Sequence, residues 1–156
     1  MTFGIRLLDR EGVAALLGDI SRIENESFST PWSADSFLTL PSEILFAGAF
    51  DGDGKLIGYG CLIALGEESE LLNLAVTGSQ RRRGAGGGLL DFLIEEAGRS
   101  GARRCYLEVR ASNEAARSLY VSRGFYRLGL RRDYYRKPKE DAVIMALDVP
   151  HFDIGD

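Results

Sequence analysis

Two cysteines and one histidine are all that this 156-residue chain has of those residue types. Cys61 and Cys105 have no C-x-x-C spacing and no histidine near them, so no metal site is expected. Both stand in strand-like runs, where a buried free thiol is the ordinary reading. No apolar run approaches the roughly 20 residues of a membrane helix. The N-terminal stretch lacks a signal-peptide core, so a cytoplasmic location without membrane contact is expected. Repeats, low-complexity stretches and linkers are missing as well, so residues 1–156 read as one domain. No lysine follows the glycines at 84–88, which argues against a nucleotide triphosphatase loop. A dinucleotide fold needs an acid about twenty residues beyond its glycines, and Arg103 and Arg104 stand there instead. Ten of the sixteen arginines fall in 99–139, yet they alternate with acids and core residues. That leaves no clean basic stripe for direct nucleic-acid binding.

What is present is ordinary for a globular protein. The chain is 45% hydrophobic and 27% charged, with a net charge of −4, and a chain of this length buries about 70% of its unfolded surface. Residues 4–9 read as a strand. Val13, Leu16, Leu17, Ile20 and Ile23 keep helical spacing over 10–28. Ser33 follows a break and caps a short helix that runs to residue 40. Ile44–Phe50 and Leu56–Leu65 read as strands joined by Asp51-Gly52-Asp53-Gly54, a strong hairpin signal. A strand over 70–77 precedes a helix over 84–99. Residues 103–110 alternate, with Cys105, Leu107 and Val109 on one face and Tyr106, Glu108 and Arg110 on the other. A helix over 113–123, ended by Gly124, leads to strands over 125–134 and 141–149. This order predicts an α/β chain of mixed type, a sheet with helices on both faces. The acidic run Glu67-Glu68-Ser69-Glu70 reads as a solvated loop, or as a lure for a basic substrate.

The chemistry concentrates in Gln80-Arg81-Arg82-Arg83-Gly84-Ala85-Gly86-Gly87-Gly88, between a strand and a helix. The first turn of a helix carries N–H groups without partners and the positive end of the dipole. Glycines let a ligand approach the backbone closely, and arginines add charge and forked donors. A pyrophosphate-bearing ligand fits this seat.

Arg81-x-x-Gly84-x-Gly86 after a strand resembles the acetyl-coenzyme A signature of the GCN5-related N-acetyltransferase (GNAT) superfamily. The run Leu107-Glu108-Val109-Arg110-Ala111-Ser112-Asn113-Glu114-Ala115-Ala116-Arg117-Ser118-Leu119-Tyr120, then Gly124-Phe125, is similar to its RimI branch. That branch acetylates the N-terminal alanine of ribosomal protein S18. Leu72-Asn73-Leu74-Ala75-Val76, Glu26-Ser27-Phe28 and Pro31-Trp32-Ser33 match too, as do Arg132-Asp133-Tyr134-Tyr135 and Glu140-Asp141-Ala142-Val143-Ile144-Met145. The likeness spans residues 5–149. It implies a mixed, mostly antiparallel sheet and acetyl-CoA as cosubstrate, with no metal. It also places one strand between those of the two cysteines, too far apart for a disulfide.

The resemblance also assigns roles. Backbone N–H groups of Arg82, Arg83, Gly84, Ala85, Gly86 and Gly87, beside Arg81, would hold the pyrophosphate. The strand edge at Leu74, Ala75 and Val76 would pair with the pantetheine arm, and the Val76 N–H would face the thioester oxygen. Glu108, otherwise a salt-bridge partner for one of many arginines, would be the general base, and Tyr120, otherwise a packed aromatic, the general acid. Asn113 can cap its helix and also bond the cofactor. Phe28, Trp32, Tyr134 and Tyr135 would line the peptide groove. Among acceptors, an α-amine suits a single carboxylate best, since about 15% of it is neutral at pH 7 against about 0.04% of a lysine. The expected acceptor is the S18 N-terminus or a similar peptide. Other protein N-termini, lysines and small amines are alternatives.

Overall fold

A computed structural model describes residues 3–81 and 84–151. Arg82 and Arg83, both expected in the pyrophosphate seat, lie outside the described residues. The first strand, β1 (Gly4–Leu7), runs into Asp9, whose side chain accepts from the Gly12 N–H and starts α1 (Arg10–Ala15). Here the expected single helix divides. Leu16 leaves helical geometry (φ −103°, ψ 11°), and α2 (Leu17–Ser27) begins after it. The apolar spacing carries straight through this break and so does not reveal it. Ser33 caps α3 (Ala34–Leu38) as expected, accepting from the Ser36 N–H at 3.2 Å.

Strands β2 (Ile44–Phe50), β3 (Leu56–Leu65) and β4 (Glu68–Val76) form an antiparallel meander. Only Glu67 of the acidic run lies in a turn; Glu68, Ser69 and Glu70 open β4, with Ser69 buried and its hydroxyl donating to the Arg104 carbonyl at 2.9 Å. Next come α4 (Ala85–Arg99), β5 (Arg104–Arg110), α5 (Glu114–Ser122), β6 (Tyr126–Arg136) and β7 (Lys139–Asp148). The last two strands reach further than expected. Arg136 pairs with Lys139, so only two residues turn the hairpin. The seven strands lie in the order β1-β2-β3-β4-β5-β7-β6, antiparallel except for β4 beside β5. The expected mixed, mostly antiparallel sheet is the observed one. The two cysteines are buried and free, on β3 and β5 with β4 between them.

Helices cover both faces. Leu89, Leu90, Leu93 and Ala97 of α4 pack with Leu107, Val109, Tyr120 and Phe125 in one core. Ile20, Ile23, Phe37, Phe46 and Tyr59 fill the other, under α1–α3. Two irregularities open the sheet between these cores. Cys61 pairs with Asn73 and Leu62 with Leu71, so Leu72 is an extra residue that bends β4. Beyond Glu70, β4 then has no pairing with β5. The two parallel strands splay apart, and the gap between them is where the site lies.

Candidate active site

The splay leaves backbone groups of β4 open. The Thr77 N–H bonds back to the Ile57 carbonyl of β3 at 2.8 Å. Backbone groups alternate along a strand, so those of Val76 and Leu74 point the other way, into the gap. Arg81 confirms this direction, its Nε donating to the Val76 carbonyl at 3.0 Å. The groups of Ala75 face β3, and its side chain is buried in the second core. Of the three residues expected to pair with a pantetheine arm, Leu74 and the N–H of Val76 thus face the gap, the Val76 carbonyl being taken by Arg81, and Ala75 contributes the wall between them.

A cavity of about 550 Å³ occupies the gap, lined by Leu74, Ala75, Val76, Arg81, Gly84, Gly86 and Gly87, with Asn113, Leu119 and Tyr120 across from them. Gly84 starts α4 at φ 91°, a left-handed conformation that favours glycine, and brings no side-chain cap. The first intrahelical bond is from Gly88 N–H to the Gly84 carbonyl at 2.9 Å. The N–H groups before it point out of the helix end, where an anion is stabilised. A Cβ at Gly86 would meet Leu119 and Val76 only at 3.6 and 3.7 Å, so protein packing alone does not demand glycine there. A bare helix end, free strand edge and open cradle fit the pyrophosphate and arm of a coenzyme A thioester. Ala85 is buried beneath the cradle and contributes backbone only. The loop is braced by α2. Glu26 accepts from the Thr77 hydroxyl and the Gly78 N–H, which hold its carboxyl below the usual range, and Arg81 Nη2 donates to Ser27.

A second cavity, about 280 Å³, adjoins the first between β4 and β5. Glu108, Arg110, Phe28, Trp32 and Tyr135 line it, and it shares Phe28, Leu74, Asn113, Ala116 and Tyr120 with the first. Tyr120 therefore stands where the two meet. Its ring is 8% exposed and packs on Phe125, and burial is the main cause that raises its hydroxyl well above the usual phenol value. Asn113 caps α5, accepting from the Ala116 N–H at 3.2 Å, and borders both cavities. Glu108 borders only the second. It pairs with Arg131 of β6 at 3.3 Å and lies beside Tyr134, whose hydroxyl the neighbouring carboxylate raises. Tyr134 does not line either cavity. It reaches Glu108 from a bulge in β6 between Arg131 and Tyr135, where Asp133 takes φ 53° and its N–H donates to Asp141. Glu70 of the acidic run lies near enough that burial and the Glu108 charge raise its carboxyl.

Sequence reasoning missed Glu24. It is 1% exposed and accepts from the Tyr59 hydroxyl, the Asn73 amide (2.7 Å) and the Trp32 N–H (2.8 Å). It ties the bulged strand to the segment carrying Phe28 and Trp32. The signal was present, because Glu24 follows Ile20 by four residues on the packed side of α2. Glu24→Ala is expected to cost about 3 kcal/mol of stability or more, since three donors lose their acceptor. Urea unfolding measures this, and a loss below about 1 kcal/mol would mean that water replaces the carboxyl. Among the described residues no group of three His, Cys, Asp or Glu side chains is placed for a metal ion, and no helix is long and apolar enough to cross a membrane.

A splayed β4/β5 pair with a bare helix end at one mouth and a carboxylate at the other defines an acyl-group transferase. The chain belongs to the acetyltransferase (GNAT) family, whose model matches residues 14–125. It is an N-acetyltransferase that uses acetyl-CoA. It is 37% identical over 129 residues to the ribosomal protein bS18-alanine N-acetyltransferase of Escherichia coli K12, covering 81% of this chain and 87% of that protein. The crystal structure of the E. coli ribosomal-protein-S18-alanine N-acetyltransferase superposes with a TM-score of 0.85 at 33% identity, over 97% of both chains. Arabidopsis thaliana NAA60 in complex with acetyl-CoA shares the fold, with a TM-score of 0.83 at 20% identity over 95% of this chain and 99% of that one.

Proposed function

We propose that this chain acts as one cytoplasmic domain. It transfers the acetyl group of acetyl-CoA to the N-terminal α-amine of a protein, with the N-terminal alanine of ribosomal protein S18 as acceptor. The observation that carries the reading is the pair of cavities meeting at Tyr120, with Glu108 bordering only the one away from the α4 helix end. The acceptor's identity rests on the likeness to the E. coli enzyme of that name over 81% of the chain.

In this reading the α4 N-terminus and the free edge of β4 hold the cosubstrate, with its thioester in the gap. Glu108 takes a proton from the acceptor ammonium, directly or through a water, and the freed amine attacks the thioester carbonyl. The Val76 N–H, pointing into the gap, stabilises the charge that develops on the carbonyl oxygen. The C–S bond breaks as the C–N bond completes. Tyr120, a phenol that holds its proton at neutral pH with a reference value of about 10, gives it to the departing thiolate, and the second proton shed by the acetylated nitrogen returns through water to the tyrosine oxygen. Arg82 and Arg83 are proposed to add charge at the pyrophosphate, Asn113 to hydrogen-bond the cosubstrate, and Phe28, Trp32, Tyr134 and Tyr135 to shape the peptide's path.

The test is acetyl-CoA turnover followed by thiol release and peptide mass. One peptide begins Ala-Arg; the other is blocked at its N-terminus and carries an internal lysine. Acetylation of the free alanine terminus alone is expected. Acetylation of the lysine would move the acceptor to side-chain amines, and thiol release with neither peptide would move it to a small amine.

A further inference from the structure

Arg110 lies two residues beyond Glu108 on the same face of β5, and its guanidinium is the most heavily engaged in the acceptor cavity. Nη1 donates to the Pro138 carbonyl at 2.9 Å and meets Glu140 at 3.3 Å. Nη2 donates to the Lys137 carbonyl at 3.2 Å and to Ser29 Oγ at 3.3 Å. Its carbon stands 4.2 Å from the centre of the Tyr135 ring. Ser29 closes the arrangement by donating to the Lys137 carbonyl at 2.7 Å, and the other Glu140 oxygen accepts from the Ser112 N–H at 2.6 Å. The side chains of Arg110 and Glu140 are only 20% and 15% exposed. The bonds from Ser112 and Arg110 hold the Glu140 carboxyl below its usual range.

These contacts join three chain segments far apart in sequence. Ser29 belongs to the connection between α2 and α3, which carries Phe28 and Trp32. Lys137 and Pro138 turn the β6–β7 hairpin, which carries Tyr135. Ser112 precedes Asn113 at the start of α5. Glu24 of α2 anchors the first segment at the Trp32 N–H, and Arg110 touches all three, the last through Glu140. We infer that Arg110 is a positioning residue for the acceptor: it draws the α2–α3 connection against the β6–β7 turn and so sets the width of the channel by which the acceptor reaches Glu108. This rests on the second cavity being the acceptor's. Only a planar fork can meet diverging carbonyls, a hydroxyl and a carboxylate while stacking on a ring; an ammonium cannot.

The discriminating experiment is steady-state kinetics of Arg110→Lys with the Ala-Arg peptide and acetyl-CoA varied in turn, alongside a thermal melt. KM for the peptide is expected to rise about tenfold while KM for acetyl-CoA and kcat stay within about twofold, the signature of lost acceptor positioning rather than lost chemistry. Ser29→Ala, which removes only one side of the clamp from an exposed position, is expected to raise the peptide KM about two- to threefold in the same direction. It carries the test alone if the lysine variant does not fold. An unchanged peptide KM in a folded variant overturns the clamp, and so does an equal rise in both KM values, which would make Arg110 part of the general scaffold. If the wild type acetylates no peptide terminus, the reading of the second cavity falls and the clamp falls with it. Peptide turnover by the wild type with unaltered KM in the variants overturns the clamp alone.

Discussion

Glu108→Gln is expected to lower kcat by about 10²–10⁴-fold, the range that a positioned proton acceptor contributes, with KM for acetyl-CoA within about twofold of the wild type. The substitution is close to isosteric. A glutamine oxygen can still accept from Arg131, so the link from β5 across β7 to β6 has a partner to keep. What the amide cannot do is take a proton. Because Glu108 borders the acceptor cavity and not the one beneath the α4 helix end, cosubstrate binding has no reason to change. Steady-state kinetics with both substrates varied, checked by a melting curve, measures this. Full turnover by the glutamine variant would sink the assignment. Glu70 would then be the carboxyl to examine next, since it shares the field of Arg131 with Glu108. A matching rise in KM for acetyl-CoA would point instead to a site that has lost its shape.

How far such a site can be read before folding depends on how local each signal is. Ser33 and Asn113 cap their helices as the sequence suggests, because a cap is decided within three residues. Leu107, Glu108 and Val109 divide between core and cleft as their alternation requires, because side-chain direction in a strand has period two. The Gly84–Gly87 turn shows itself through glycine and its place between strand and helix. The remainder comes from partners that no local pattern names. The extra residue at Leu72, which splays β4 from β5, appears only in the register with β3. Arg131 reaches Glu108 from a strand that is two places away in the sheet. Arg110 looks like one more arginine until Ser29, Lys137 and Pro138 are brought to it. The break at Leu16 leaves no mark on the apolar spacing at all. The chemistry of the site was thus legible wherever one short motif carries it, and the walls that select an acceptor were not.

Tyr120→Phe is expected to lower kcat by about 10²-fold or more while leaving stability and KM for acetyl-CoA nearly unchanged. The ring is held by packing against Phe125 and by burial in the core that α4 and α5 share, and the phenylalanine keeps that packing. Only the hydroxyl, at the meeting of the two cavities, is lost. Burial raises this phenol above its ordinary value, with the neighbouring Tyr135 and Cys105 adding to the shift. The sign of the pH effect follows. The protonated donor persists through the alkaline range in which a free phenol would begin to ionise, near pH 10. Wild-type kcat should therefore show no fall between about pH 8 and 10 that disappears in the phenylalanine variant. For stability, the unfolded chain ionises this tyrosine near pH 10 while the folded one does not. Its contribution is thus fully present below that pH and is lost as the pH rises toward the folded value. A kcat fall with an apparent midpoint near 10, abolished by Tyr120→Phe, would show an unshifted phenol in contact with water. Loss of acetyl-CoA binding in the variant would make Tyr120 part of the cofactor wall rather than the proton donor.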